Sequence, residues 1–408
     1  MKRLFIGIIG LLYFVAVAKA QYPGNGIAPT RIPLEQVEKV VLGPLDNVAL
    51  QRAELQSRAP GRAPHFAQPV EVDITPQGNG LWERLPDGIE VWRLRIHSPG
   101  AHSLNFGFLE YYMPPGGRLL IYEPGQKRIS GPFTAADNET HYQLWTPILA
   151  GDEAILEVQV PARQRPFLRL RLATVNHDFL GFAEVLSGAC NLDVICGASN
   201  NWGIVEPYRD VIQSVAVYGM GGSTFCTGFL ANNTRNDCTP YFITANHCDV
   251  SPSTAPSVVV YWNYQNSYCR TPGSTASGNP GNGQLNNFNT GAIFRAGYGP
   301  TDFTLLELDD PLSSTSQAYF AGWTREASPP QDTLACIHHP DGAEKRISFS
   351  FSDAYAGAWG SGSTPVPGGN HLIVPSWDIG ATESGSSGAP LFDRQRRVVG
   401  QLRGGATS

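Results

Sequence analysis

The sequence predicts an all-β protein in two units. Three observations point there. Short apolar runs recur between turn residues along most of the chain. Gly (44) and Pro (32) are abundant, while charged residues make up only 16%. All seven cysteines lie between Cys190 and Cys336, so the first 189 residues carry none. The first two favour a loop-rich β fold over a helical bundle. The third divides the chain near "DFLGFAEVLSGAC", around residue 180. The 42% apolar content is too high for a disordered chain. A formal net charge of −6 offers no basic surface for nucleic acid.

Residues 1–20 read as an export signal. Lys2 and Arg3 form the charged start, Leu4 to Val17 the apolar run, and Ala18-Lys19-Ala20 a small-x-small cleavage site. The run is short for a bilayer span, so a secreted protein without membrane attachment is expected after signal removal. Export also makes the cysteines candidates for disulfides. Residues 21–186 read as a propeptide. Its 21–70 leader is Pro-rich and polar, with one helix-compatible patch, "LEQVEKVVLG". Its 71–175 portion is β-rich, with runs such as "IEVWRLRIHS", "GRLLIYEPG", "EAILEVQVP" and "FLRLRLATV". They fit an antiparallel sandwich. No acid/base constellation lies here, which suits a removable folding aid; a permanent carbohydrate- or surface-binding module is the alternative. Residues 187–408 form the cysteine-bearing domain. "DVIQSVAVYG", "TFCTGFLA", "YFITA", "SVVVYWNY", "FTLLEL", "HLIVPSW" and "RVVGQLRGG" read as short strands of a barrel or sandwich. "RTPGSTASGNPGNGQLNNFNTG" reads as a polar surface loop.

Three segments of the second unit carry chemistry. "YFITANHC" ends an apolar run in His247 and Cys248, and Cys226 lies 22 positions before Cys248. A disulfide between the two would fix the His-bearing turn and add about 3 kcal/mol by restricting the unfolded chain. "GPTDFTLLEL" sets Asp302 ahead of an apolar strand, where a carboxylate needs hydrogen-bond donors. "TESGSSGAP" holds Ser387 among glycines. By itself that stretch is an ordinary flexible turn. With a base and an acid upstream it becomes a candidate nucleophile. A serine hydroxyl attacks only when a base takes its proton, and a buried carboxylate fixes the imidazole tautomer. Flanking glycines let backbone amides turn toward a developing oxyanion.

The order His, Asp, Ser is that of two-barrel β proteases. "TANHC", "DFTLLEL" and "GSSGAP" resemble the signature segments of chymotrypsin-like serine proteases. "ACNLDVIC", "VVVYWNYQNSYC", "LACIHHPDGAEKRIS" and "GQLRGG" are similar to the bacterial lysyl endopeptidases of that clan. The resemblance covers about 187 to 408. It implies a chymotrypsin-like double β-barrel, with His247 as base, Asp302 as its orienting acid, and Ser387 as nucleophile. It implies an oxyanion hole from the N–H groups of Gly385 and Ser387. It also implies the pairs Cys226–Cys248 and Cys196–Cys269. In those enzymes the cysteine matching Cys190 pairs just after the segment matching "QLRGG". The chain ends at Ser408, where that partner falls due, so a C-terminally incomplete chain that does not reach an active form is expected. Cys238 and Cys336 remain, and pair with each other in one reading.

The resemblance further places Trp359, Arg403, Gly404 and Gly405 along the substrate cleft, with Arg403 where the lysyl enzymes carry His. Ala381 stands at the trypsin-type position for a specificity carboxylate. The expected protein is therefore a secreted, monomeric serine endopeptidase made as a zymogen, acting on proteins or peptides after a basic residue, Lys first. Its partners are its substrates and its own propeptide. It calls for no cofactor and no metal: His338-His339 lacks zinc-site spacing. The alternative function is a non-catalytic homologue acting as an extracellular binding protein. A maturation cut is expected near Glu184-Val185 or Ser187-Gly188.

Overall fold

The computed structural model describes residues 22, 24–59, 61–182, 187–362 and 364–405. The export signal and Glu184-Val185 lie outside these residues. No described helix is long and apolar enough to cross a membrane.

The first half is a two-sheet sandwich. One sheet orders strands Lys39–Val41, Ile89–His97, Glu153–Pro161, Arg118–Tyr122 and Ile129–Thr134, with Leu81–Arg84 added beside Ile89–His97. The other orders Ala67–Ile74, Arg169–Asp178, Ser103–Tyr112 and Leu144–Trp145, with Leu149–Ala150 also on Ser103–Tyr112. Alternation along each strand decides which face closes. Leu94, Ile96, Leu156 and Val158 from the first sheet meet Leu104, Phe106, Phe108 and Leu172 from the second in one buried core. Each such side chain contributes about 1.5–3 kcal/mol by leaving water.

The leader differs from its expected form. "LEQVEKVVLG" is not a helix: Leu34–Gln36 makes one turn and Lys39–Val41 a strand parallel to Arg95–His97. The β-branched Val40 and Val41 gain more from that edge than a polar helix would offer. The helix lies further on, at Asn47–Ser57, where Asp46 caps it by accepting the Ala49 N–H at 3.0 Å. Residues 26–32 cover buried polar groups on the outer face of the first sheet. Ala28 N–H donates to Glu157, and Arg93 donates to the Ile32 carbonyl.

The second half contains a seven-stranded sheet and a five-stranded sheet, in the all-β, two-barrel plan. The seven-stranded sheet runs Phe288–Thr290, Val259–Tyr261, Val215–Met220, Thr224–Leu230, Tyr241–Ala245, Phe303–Leu308, Ala292–Tyr298. Its two outermost strands are consecutive in the chain, which curls the sheet around Tyr218, Leu230, Phe242, Trp262 and Leu306. The five-stranded sheet runs Leu192–Asp193, Arg346–Ser350, Leu334–His338, Pro390–Phe392, Val398–Gln401. Two of the sequence runs are shorter as strands than expected. Residues Arg209–Ile212 are helical before the strand at Val215, and "HLIVPSW" contributes only His371–Ile373. The loop expected at the surface from residue 270 starts buried, because Arg270 is only 2% exposed and bound to Asp193 and Glu344.

The halves meet along the first residues of strand Thr224–Leu230. Phe66 N–H donates to the Ser223 carbonyl at 2.8 Å, and Phe225 N–H to the Pro64 carbonyl at 3.1 Å. Around these bonds Phe66 stacks on Phe182 at 4.5 Å, and Phe182 tilts against Phe225 at 5.2 Å. Arg58 pairs with Asp341 at 2.9 Å. Phe66→Ala is expected to lower the unfolding free energy by about 3–5 kcal/mol, as for other buried Phe truncations. Urea titration reads it; a loss below about 1 kcal/mol would mean that the seam does not rest on this ring.

Candidate active site

The two sheets bring His247, Asp302 and Ser387 to one point. His247 sits in the turn Asn246–Cys248 that ends strand Tyr241–Ala245. Asp302 caps the turn Gly299–Thr301 in a left-handed conformation (φ 58°) just before strand Phe303–Leu308. These strands are paired, and the bond from Asn246 N–H to the Asp302 carbonyl (2.8 Å) extends the ladder into the site. Asp302 is 2% exposed, and among the described residues its carboxylate is bonded by His247 alone. Oδ1 accepts the His247 backbone N–H at 2.8 Å, and Oδ2 lies 2.7 Å from His247 Nδ1. That contact places the imidazole proton on Nδ1 and leaves Nε2 as an acceptor. Ser387 Oγ lies 2.8 Å from Nε2.

Ser387 comes from the other sheet, in the loop before strand Pro390–Phe392. Thr227, fully buried in the seven-stranded sheet, holds this loop twice. Its N–H donates to the Ser387 carbonyl at 2.9 Å and its Oγ1 to the Gly385 carbonyl at 2.8 Å. The Ser384 carbonyl accepts from Asp341 N–H, and the Ser386 carbonyl from Ala389 N–H. Across a trans peptide the N–H points opposite to the carbonyl. The Gly385 and Ser387 N–H groups are thereby turned away from these partners, and neither has an acceptor among the described residues. Gly385 has φ +79°, and a Cβ there would lie 2.4 Å from Phe225. The loop needs glycine at that position for both reasons.

Disulfide Cys226–Cys248 ties the His-bearing turn to strand Thr224–Leu230, and Cys196–Cys269 closes the second implied pair. Cys190 and Cys238 are exposed and Cys336 is buried, all three unpaired, so the reading that joins Cys238 to Cys336 is corrected. One lies on the surface and the other inside the five-stranded sheet.

The four cleft candidates lie together. Leu402 closes the strand next to Ser387, its carbonyl accepting from Gly388 N–H at 2.8 Å, and Gln401 donates to the Asp302 carbonyl at 2.6 Å. Arg403 to Gly405 follow without backbone partners among the described residues. The Arg403 guanidinium lies 4.3 Å from the centre of the Trp359 ring. A Cβ on Gly404 would lie 3.3 Å from the same ring. Trp359 is a half-exposed rim residue rather than a core one.

Several supporting residues carried no sequence signal. Thr227 looks like any strand threonine. His371 accepts from Arg403 at 3.1 Å, but only the fold brings the two together. Glu383 accepts from Gly188 N–H (3.0 Å) and Asn191 (2.7 Å), which ties the domain junction to the start of the nucleophile loop. Burial, together with the like charge of Asp341, holds the Glu383 carboxyl above its ordinary range. His338, weighed in the sequence only as a metal ligand, lies between Ser386 Oγ (2.8 Å) and Ser348 Oγ (3.0 Å). His339 turns instead to the Ala343 carbonyl.

Two family models match the chain. The model for the lysyl endopeptidase C-terminal domain covers residues 185–408, and that for the lysyl endopeptidase N-terminal domain covers 42–179. The chain belongs to the lysyl endopeptidase family. A lysyl endopeptidase of Pseudomonas aeruginosa is 28% identical over 357 residues, 82% of this chain and 71% of the relative. Among solved structures, the inactive form of the Rv3671c protease of M. tuberculosis is 16% identical, over 50% of this chain and 83% of that one, at a TM-score of 0.29. The serine endoprotease of Yersinia pestis is 14% identical, over 48% and 54%, at 0.30. Scores this low carry no weight; the fold rests on the sheets themselves. Family membership makes the chain a serine endopeptidase.

His338 is fully buried, and burial with the nearby Arg346 charge lowers its pKa to about 3 from 6.5. A folded pKa below the unfolded one means that the unfolded chain binds the extra proton. Its stabilising effect is therefore complete above pH 6.5 and lost progressively as pH falls toward 3. His338→Gln is expected to unfold with a shallower fall of the urea midpoint between those pH values than wild type. Parallel curves would show that this imidazole is already charged in the fold.

Proposed function

We propose that Ser387, His247 and Asp302 form the catalytic triad of a secreted endopeptidase. The reading is carried by His247, which stands at 2.8 Å from Ser387 Oγ and 2.7 Å from Asp302 Oδ2 at once. His247 Nε2 takes the hydroxyl proton as Ser387 Oγ attacks the scissile carbonyl carbon. The oxyanion forms against the N–H groups of Gly385 and Ser387, where each donor contributes about 3–4 kcal/mol to the transition state. Collapse expels the amine, which takes the proton from His247. Water, deprotonated by the same imidazole, then hydrolyses the acyl-enzyme. Asp302 keeps the ring oriented and stabilises the imidazolium.

The preferred cleavage is after a basic residue, Lys first. Family membership supports this preference, and Ala381 supplies no carboxylate at the trypsin-type position. We assign residues 21–186 to a propeptide and 187 onward to the mature enzyme, exported through the signal at 1–20. The seam at Ser223–Phe225 supports the propeptide reading, because the sandwich docks on the strand that leads directly to Thr227 and the nucleophile loop.

The test is labelling with a fluorophosphonate, followed by identification of the modified residue and cleavage-site profiling. Labelling of Ser387 and cuts after Lys are expected; cuts distributed evenly over residue types would sink the specificity. Asp302→Asn should retain the fold and lose about 10⁴ in kcat, the scale seen when a triad carboxylate is neutralised.

A further inference from the structure

Among the described residues Arg403 is a charge without a counter-charge. The two most deeply buried arginines, Arg270 and Arg346, are both neutralised by Asp193. Arg403 has no carboxylate within ion-pair distance among the described residues, and its Nε is buried without a hydrogen-bond partner. What holds it is neutral. The Trp359 ring lies under the guanidinium at 4.3 Å, and His371 Nε2 accepts from Nη1 at 3.1 Å. His371 Nδ1 faces the Asn370 side-chain oxygen at 2.7 Å, which places the ring proton on Nδ1 and leaves Nε2 free to accept. Burial and the Arg403 charge both hold this imidazole neutral. The guanidinium is thus fixed in orientation but keeps its full charge, a pre-organised site for a carboxylate.

Its place in the fold decides which carboxylate. Leu402 is bonded to the residue after Ser387, and Arg403 to Gly405 beside it have no backbone partner among the described residues. An extended peptide crossing Ser387 adds to such an edge, its side chains alternating between faces. Its residues on the acyl side of the scissile bond then pass the Trp359–Arg403 wall. We propose that Arg403 is a specificity-determining residue, and that the enzyme selects substrates with an acidic side chain two to four residues upstream of the cleaved bond. The inference rests on the proposed hydrolytic site and adds a second recognition element to it. A Lys or Arg at the same upstream position meets a fixed positive charge and is rejected.

The experiment uses the full-length enzyme and peptides with Lys at the cleavage position. Glu, Gln or Lys is placed in turn at the second, third and fourth upstream positions. At one of them kcat/KM for Glu should exceed that for Gln by about five- to twenty-fold, with Lys below Gln. Added salt should compress the ratio. In Arg403→Gln the Glu/Gln ratio should fall to near one, and in Arg403→Lys it should be intermediate. Because each ratio is taken within one variant, a general loss of activity does not mimic the result. A wild-type enzyme that labels at Ser387 and cleaves the Lys series with no upstream charge preference overturns this inference alone. So does a preference unchanged in Arg403→Gln. Loss of both labelling and cleavage in the wild type would overturn it together with the hydrolytic reading.

Discussion

Everything at the candidate site depends on Thr227 holding a loop that belongs to the other sheet. His247 and Asp302 come from neighbouring strands of one sheet, and ladder hydrogen bonds fix their spacing. Ser387 has no such guarantee, since it stands on a loop of the five-stranded sheet. The two bonds from Thr227 to the Gly385 and Ser387 carbonyls cross between the sheets and remove that freedom. Both are buried, so breaking either leaves an unsatisfied polar group and costs about 1–3 kcal/mol. The Gly385 and Ser387 N–H groups are directed by the neighbouring carbonyls of Ser384 and Ser386, which accept from Asp341 N–H and Ala389 N–H. Thr227 therefore fixes the position of the hydroxyl, and the bonds of Asp341 and Ala389 fix the direction of the amides.

The loop is also held from behind. Asp341 N–H reaches the Ser384 carbonyl, and the Asp341 side chain pairs with Arg58 from the first half. Phe225 packs where a Gly385 side chain would be, and reaches Phe66 through Phe182. The sandwich thus touches the loop through one aromatic stack and one ion pair. Beside the loop the halves share a further buried cluster, with Phe66, Trp145 and Phe182 of the first against Val217, Phe225 and Tyr261 of the second.

Legibility in the sequence followed the range of the interaction. Strand runs were visible because alternation is local, and the sandwich strands fall on the apolar runs read from "IEVWRLRIHS" and "EAILEVQVP". His247, Asp302 and Ser387 were singled out by the resemblance of their three segments, in order, to a known family, since each segment alone reads as an ordinary strand end or turn. The leader was misread because a 3.6-residue apolar spacing in "LEQVEKVVLG" is outweighed by pairing with Arg95–His97, a contact about 55 residues away. Thr227, His338 and His371 were not legible at all. Their importance lies in partners 32 to 160 positions distant, and nothing in their neighbours' types records it.

Buried charge explains why the second half tolerates so many long loops around a rigid site. Asp193 accepts from both Arg270 and Arg346, and Glu344 accepts from Arg270 and from Gly283 N–H. All four side chains are almost fully buried. Taking two guanidinium and two carboxylate groups out of water has a large desolvation penalty, so the set contributes little net stability when complete. It is strongly unfavourable when incomplete, because any member that leaves abandons a buried charge, at about 3–5 kcal/mol. Loose alternatives for the 270–283 loop and the 189–193 segment are thereby excluded rather than the correct one being specially favoured. Asn191 lies on that segment, donating to Glu383 and accepting from Ala381 N–H. The discrimination made by the charge cluster is passed in this way to the start of the nucleophile loop. Arg403 stands outside that system, against Trp359 and His371, with no carboxylate in ion-pair reach among the described residues.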